Sequence, residues 1–230
     1  MVIFPKTRPK DCKSCPSRKT NVFCNLPEEA LVIIDQQKVI NHFRRGQQIF
    51  YAGNFPSGLY CVNSGVVKLE NTSTGGNTHI LQVVQRGGIL GYRSLFADEP
   101  YEATAIVHED AEVCYIPKSA LLELMAKYPD IGMKFLMSLS KDLRLSEDRM
   151  CSLTDRNAAE RVAGAILFLK EHYRDQVWTR KEIAEWAGTT PETVMRSLAE
   201  LVVAQIVELK GRKITILKKD ILVERANLSY

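Results

Sequence analysis

The stretch Thr179-Arg-Lys-Glu-Ile-Ala-Glu-Trp-Ala-Gly-Thr-Thr-Pro-Glu-Thr-Val-Met-Arg-Ser-Leu198 reads as two short helices and the turn between them. Thr179 can cap the first, Thr179–Trp186, because its hydroxyl accepts from a backbone N–H that has no partner inside the helix. Ala184 is small enough to let two helices approach closely, and Gly188 supplies the tight turn four residues on. Pro191 suits the first turn of a second helix over 191–203, and Val194 and Leu198 then point back into a small core. This spacing predicts a helix-turn-helix, whose second helix enters the DNA major groove. Outward from it, Ala158–His172 is an amphipathic helix with Val162, Ile166 and Leu169 on its apolar face. Leu209–Leu217 reads as a hairpin turning at Gly211-Arg212, placed as a wing. A helical hairpin without DNA function is the bland alternative, and the wing at this distance speaks against it.

On the second helix the expected DNA-facing residues are Thr189, Thr190, Glu192, Thr193, Met195 and Arg196. Glu192 can accept from a cytosine amino group, and Arg196 can donate two bonds to guanine O6 and N7. They are four apart and share a helix face, so a solvated ion pair is the competing reading, and the two are compatible. Lys210, Arg212, Lys213, Lys218 and Lys219 place five positive charges in ten residues around the wing. Those suit phosphate contacts, which position a protein without specifying sequence.

Upstream, Leu136, Leu139, Leu143, Ser146 and Met150 recur at 3, 4, 3 and 4 residues, a heptad seam suited to dimerisation. A helix lying on its own β-domain would give the same pattern. Nine of the 13 glycines fall between Gly46 and Gly91, among short β-prone runs. Leu59–Val62 and Val66–Leu69 are expected to meet in a hairpin across Asn63-Ser64-Gly65. A second turn at 74–77 leads to a strand over 78–84, with further strands at 103–107 and 112–116. Short strands at such spacing predict a jelly roll.

The 230 residues are 45% hydrophobic and 25% charged, which excludes collagen-like, disordered and disulfide-dense chains. No apolar run approaches a membrane span and no secretory signal opens the chain, so a soluble, cytoplasmic protein is expected. The net charge of +4 is unevenly spread. Residues 1–19 carry six basic residues against one acidic, 20–150 twelve against fifteen, and 151–230 thirteen against eleven. The middle repels a polyanion while both ends can approach one. No Walker A loop, His-Glu-x-x-His motif or Gly-x-Ser-x-Gly elbow occurs, so no enzyme is expected.

A jelly roll, a seam helix and a winged helix bearing Glu192-Thr-Val-Met-Arg196 resemble the CRP/FNR family of bacterial transcription regulators. Arg45–Phe50, Gly58–Gly65 and Asn157-Ala-Ala-Glu-Arg161 add to the resemblance, which runs from about Cys12 to Leu217. It implies an α+β fold with an N-terminal double-stranded β-helix, a long dimerisation helix and a C-terminal winged helix-turn-helix. The expected domains are a cysteine-containing segment at 1–29 and a cyclic-nucleotide-binding-like β-roll sensor at 30–118. Connecting and dimerisation helices follow at 119–154, and the DNA-binding domain at 155–230. The resemblance also implies a homodimer that binds a palindromic operator and contacts RNA polymerase. Met195 stands where FNR-type proteins usually have Ser, and Pro191 where cyclic-AMP-type proteins have Arg, so operator preference should differ at flanking positions.

In the cyclic-nucleotide branch, a Glu after the phosphate-cassette Gly binds ribose and an Arg about ten residues on binds phosphate. Here Tyr92 follows Gly91, and Tyr101 or Glu102 takes the Arg position, which disfavours cyclic AMP. Arg93 leaves a small anionic ligand as an alternative. Of six cysteines, Cys12, Cys15 and Cys24 cluster within thirteen residues, and Cys114 precedes Tyr-Ile-Pro117. These match the three N-terminal cysteines and the one β-domain cysteine that hold a [4Fe–4S] cluster in FNR-type proteins, and thiolates are the ligands such clusters use. Eight residues separate Cys15 from Cys24, against about five in the commonest FNR pattern. Zinc in a Cys₄ site, a thiol–disulfide switch and no metal at all are the alternatives. Cys61 and Cys151 are expected to be buried small hydrophobes. An iron–sulfur electron carrier or a ligand-binding regulatory subunit would need neither Glu192 nor Arg196 on an exposed helix.

Overall fold

The computed structural model describes residues 11–173 and 176–228. Lys6, Arg8 and Lys10 of the basic N-terminal stretch lie outside them. Internal contacts divide the chain into two units within one long helix, between Asp142 and Leu143, with Gly76–Ile80 going to the second unit.

The first unit begins with a 3₁₀ turn, Pro16–Thr20, and helix α1, Glu28–Gln37. Then come β1 (Val39–Phe43), β2 (Gln48–Phe50), β3 (Gly58–Thr72), β4 (Thr78–Gln85), β5 (Ile89–Leu90), α2 (Tyr92–Ala97), β6 (Thr104–Pro117) and α3 (Lys118–Lys127). Helix α4, Asp130–Asp155, carries the seam. β3 and β6 are the two long strands, antiparallel to each other along most of their length. β6 also takes β1 and β2, and β3 takes β4 and β5, so the six strands curl into a roll.

This corrects two sequence expectations. Asn63-Ser64-Gly65 is not a hairpin turn, and 103–107 and 112–116 are not separate strands: each region is one continuous strand. The pairing of β3 with β6 shifts register between Val62 and Val67, a bulge at the residues that read as a turn. Gly65 adopts φ +84° there, and a Cβ on it would collide with the Asp110 carbonyl. A turn and a bulge ask for the same residue type, and only the distant partner strand distinguishes them.

Two apolar clusters fill this unit. Phe50, Val62, Val67, Leu90, Tyr101, Val107 and Val113 line the roll interior. Leu31 and Ile34 of α1, Leu121 and Leu124 of α3, and Ile131 and Phe135 of α4 close over Leu59, Cys61 and Ile116. Each fully buried aliphatic side chain contributes about 1.5–3 kcal/mol.

In the second unit, α5 (Ala158–His172) opens on a reciprocal cap between Asn157 and Glu160. α6 (Arg180–Ala187) opens on the same device, Thr179 with Glu182, and α7 (Pro191–Val203) on the Thr190 hydroxyl. β7 (Val207–Lys210) and β8 (Lys213–Ile216) form the expected hairpin, and α8 (Lys219–Arg225) follows. Val162, Ile166, Leu169, Ile183, Val194, Leu198 and Leu222 are buried among these elements. The fold is the α+β architecture expected: a β-roll, a long helix and a winged helix-turn-helix.

Candidate functional site

Two sites can be built from the residues upward, one in each unit. In the first, the chain before α1 lies against the roll. The Cys12 amide donates to both Asp35 carboxylate oxygens at 2.9 and 3.1 Å. The Cys12 Sγ accepts from Lys38 Nζ at 3.1 Å, and Lys38 also pairs with Asp35 at 2.5 Å. Cys15 Sγ donates to Asn63 Oδ1 at 3.1 Å, and Ser17 Oγ donates to the same atom at 2.8 Å. Asn63 belongs to β3, so these bonds fasten the N-terminal segment to the sheet.

Cys12, Cys15, Cys61 and Cys114 line one cavity of about 30 Å³, together with apolar side chains of α1 and β6. That volume admits a water or two and no nucleotide. Burial pushes the Cys12 thiol up to about 12, with the Lys38 ammonium pulling the other way. Burial likewise raises Cys61 to about 12 and Cys114 to about 11. Cys24 does not line the cavity; its carbonyl accepts from Lys134 Nζ of α4. Among the described residues no three Cys, His, Asp or Glu side chains are grouped tightly enough to enclose one metal ion. Cys61 is buried as expected, but beside three other thiols rather than in plain hydrocarbon. Cys151 is exposed, contrary to expectation: on α4 it faces away from either core.

In the second unit, α6 ends at Gly188 with φ +61°, and α7 begins three residues later. Arg161 fixes this turn: its guanidinium donates to the carbonyls of Ala187 at 2.9 Å and Gly188 at 3.2 Å. That occupies carbonyls the α6 C-terminus leaves open and gives the Asn157–Arg161 motif a structural role. Val194 and Leu198 are buried, so the opposite face of α7 is presented outward. Thr190, Glu192, Met195 and Arg196 are exposed, and Thr189 and Thr193 half-buried. No ion pair joins Glu192 to Arg196 in this structure. The Glu192 carboxyl is held below its ordinary range by its own backbone N–H and by Thr190. Around the wing, Lys210 pairs with Glu208 at 3.2 Å and Lys219 with Glu171 at 2.5 Å. Arg212, Lys213 and Lys218 are exposed and make no such pair among the described residues.

Residues 40–128 match the cyclic nucleotide-binding domain, and residues 160–225 match the Crp-like helix-turn-helix domain. The chain belongs to the CRP/FNR family of transcription regulators. It is 28% identical over 232 residues to the fumarate and nitrate reduction regulatory protein of Vibrio cholerae, covering 95% of this chain and 91% of that one. Among solved structures, the CRP/FNR-family regulator TTHA1359 of Thermus thermophilus superposes with a TM-score of 0.66 at 26% identity, over 83% of this chain and 99% of that one. FixK2 of Bradyrhizobium japonicum shares the fold with a TM-score of 0.72 at 22% identity, over 84% and 99%. This CRP/FNR protein is thus a DNA-binding regulator and not an enzyme.

Within the regulator's roll, the positions compared with nucleotide ligands are used for packing. The Tyr92 hydroxyl donates to Asp142 of α4 at 2.5 Å, and Tyr101 stacks on Phe50 with centroids 3.8 Å apart. Arg93 is exposed. The seam residues Leu136, Leu143 and Met150 are 56–63% exposed in the single chain, Ser146 is exposed, and Leu139 packs partly against the core. No described helix is long and apolar enough to cross a membrane.

Proposed function

We propose that this regulator acts in the cytoplasm as a homodimer on a palindromic operator, contacting RNA polymerase. Its DNA binding is set by redox state, O₂ or NO through a cysteine-ligated [4Fe–4S] centre. The observation that carries the reading is the convergence of Cys12 and Cys15, from the N-terminal segment, with Cys114 of β6 on one cavity. Thiolates are the ligands iron takes, and Cys12, Cys15 and Cys114 share the cavity, while Cys24, the fourth cysteine expected, stands outside its lining. When bound, such a centre supplies reactivity toward oxygen and nitric oxide.

The chain's own residues connect that cavity to the dimer helix. Phe23 meets Phe135 of α4 edge-on with ring centroids 6.4 Å apart, and Lys134 holds the Cys24 carbonyl. Cys12 and Cys15 would hold the centre at the start of the segment that ends in these contacts, so the packing of that segment on the first half of α4 would depend on it. α4 presents Leu136, Leu143 and Met150, with exposed Met133 and Leu153 at the margins of the same face, to a second copy. On DNA, Thr189, Thr190, Glu192, Thr193, Met195 and Arg196 face base edges, while Lys210, Arg212 and Lys213 meet phosphates.

Anaerobic reconstitution with iron and sulfide tests the reading. The expected result is a broad absorbance near the visible–ultraviolet border that bleaches in air, with operator affinity falling in parallel. A wild-type chain that takes up no iron, or an operator affinity unchanged by air, removes the redox assignment and leaves the regulator assignment standing.

A further inference from the structure

We infer that Arg149 is a positioning residue for operator recognition: it fixes the turn between α6 and the recognition helix α7 to the half of α4 that carries the lower seam. The inference rests on the proposed reading of a homodimer on a palindromic operator and is independent of the redox centre.

Arg149 is half-buried on α4. Its Nη2 donates to the Trp186 carbonyl of α6 at 3.1 Å and to the Ile80 carbonyl, near the start of β4, at 2.9 Å. A guanidinium Nη carries two N–H bonds, so one nitrogen serves both carbonyls at once. The Arg149 Cζ lies 4.3 Å from the centroid of the Trp186 ring, within cation–π range. That indole also stacks on Phe168 of α5, with centroids 4.8 Å apart. Burial lowers the Arg149 pKa from its ordinary value, yet a guanidinium stays charged at any working pH. A positive charge is thus held at the C-terminal end of α6, where the free carbonyls concentrate partial negative charge.

Trp186, Ala187 and Gly188 are successive residues at that end. Arg149 takes the carbonyl of the first, and Arg161 takes those of the other two. The turn that leads into α7 is therefore gripped from two helices, α4 and α5. Arg161 holds it from within the DNA-binding bundle. Arg149 holds it from the stretch of α4 that also bears the exposed seam residues Leu143 and Met150. Four residues on, Leu153 reaches the same turn: a Cβ on Gly188 would stand 2.8 Å from its Cδ2. In a two-fold dimer the recognition helices address half-sites at a spacing that the protein sets. The seam fixes α4 against the second copy, and Arg149 fixes the turn to α4, so this guanidinium carries the spacing from seam to α7. Attraction to phosphates, which needs only surface charge, does not pass through it.

The probe is an operator duplex that the wild-type chain selects from a pool of randomised DNA. Wild type, Arg149→Ala and Arg149→Lys are titrated with it, with versions lengthened or shortened by one central base pair, and with a random duplex. Wild type should prefer the selected spacing. R149A should bind the selected duplex about tenfold more weakly and discriminate less among the three spacings. Its affinity for random DNA, the salt dependence of that affinity and its melting by far-ultraviolet dichroism should match wild type. R149K keeps the charge but not the flat group that lies on the indole, and should fall between the two. An R149A chain that keeps wild-type spacing discrimination, or that loses operator and random binding alike, overturns the inference and leaves the operator reading standing. If R149A does not fold, R149K decides: weaker spacing discrimination with random-DNA affinity unchanged supports the inference, and full wild-type discrimination overturns it. A wild type indifferent to spacing overturns both the inference and the palindromic-operator reading.

Discussion

Arg196 shows how a residue's role separates from its structural surroundings. It is exposed, unpaired with Glu192, and set on the face of α7 opposite buried Val194 and Leu198. An arginine held this way by its helix alone is available for bidentate donation to guanine. Arg196→Ala should therefore remove about 1–3 kcal/mol of discrimination at one base position and little elsewhere. Competition binding against single-base operator variants checks this, and equal losses at every position would place recognition on another residue. The thiols make a second case. Burial holds Cys12, Cys61 and Cys114 protonated at neutral pH, whereas Cys151 is exposed. In the metal-free protein Cys151 should react with iodoacetamide at least tenfold faster than those three, since the thiolate is the nucleophile. Timed alkylation followed by peptide mass spectrometry reads the order directly. Cys114 was legible as chemically distinct from its sequence context. Cys61 was not, because nothing around it in the chain says that β6 lays a second thiol opposite it.

Elements built on local signals came out of the sequence with nearly their observed limits. α5 and α7 begin and end where the caps and the apolar period put them. β3 and β6 did not, because a strand's length is set by its partner, which lies about fifty residues away in the chain. Gly188 is the element-level pivot of the DNA unit: its left-handed backbone ends α6, and a Cβ there would stand 2.8 Å from Leu153 Cδ2. Gly188→Ala should destabilise this unit by about 1–3 kcal/mol. Both tryptophans, Trp178 and Trp186, belong to the unit, so urea unfolding followed by their fluorescence reports the shift in midpoint. α4 offers the complementary test. Leu143 is 60% exposed on the seam, and Leu143→Glu should turn a sedimenting dimer into a monomer with much weaker operator binding.

For the molecule as a whole, charge decides how it meets DNA. The formal +4 is modest, and two of the wing lysines are occupied by glutamates. Lys213→Ala should weaken binding to all sequences alike and lower the slope of log affinity against log salt by about 1, as expected for one phosphate contact. Lys210→Ala, which removes a cation already paired with Glu208, should change that slope less. A salt titration of both variants on operator and random DNA distinguishes them. The sequence by itself determined the architecture, the recognition helix and the presence of a cysteine-bearing segment. Those depend on period, caps and turn residues, all of which act within a few positions along the chain. Only the tertiary structure decided that Gly65 lies in a bulge, that Arg161 closes the helix-turn-helix, and which thiols share a cavity. These are contacts between residues far apart in sequence, and they exist only once the sheet has chosen its register and α5 has packed on α6.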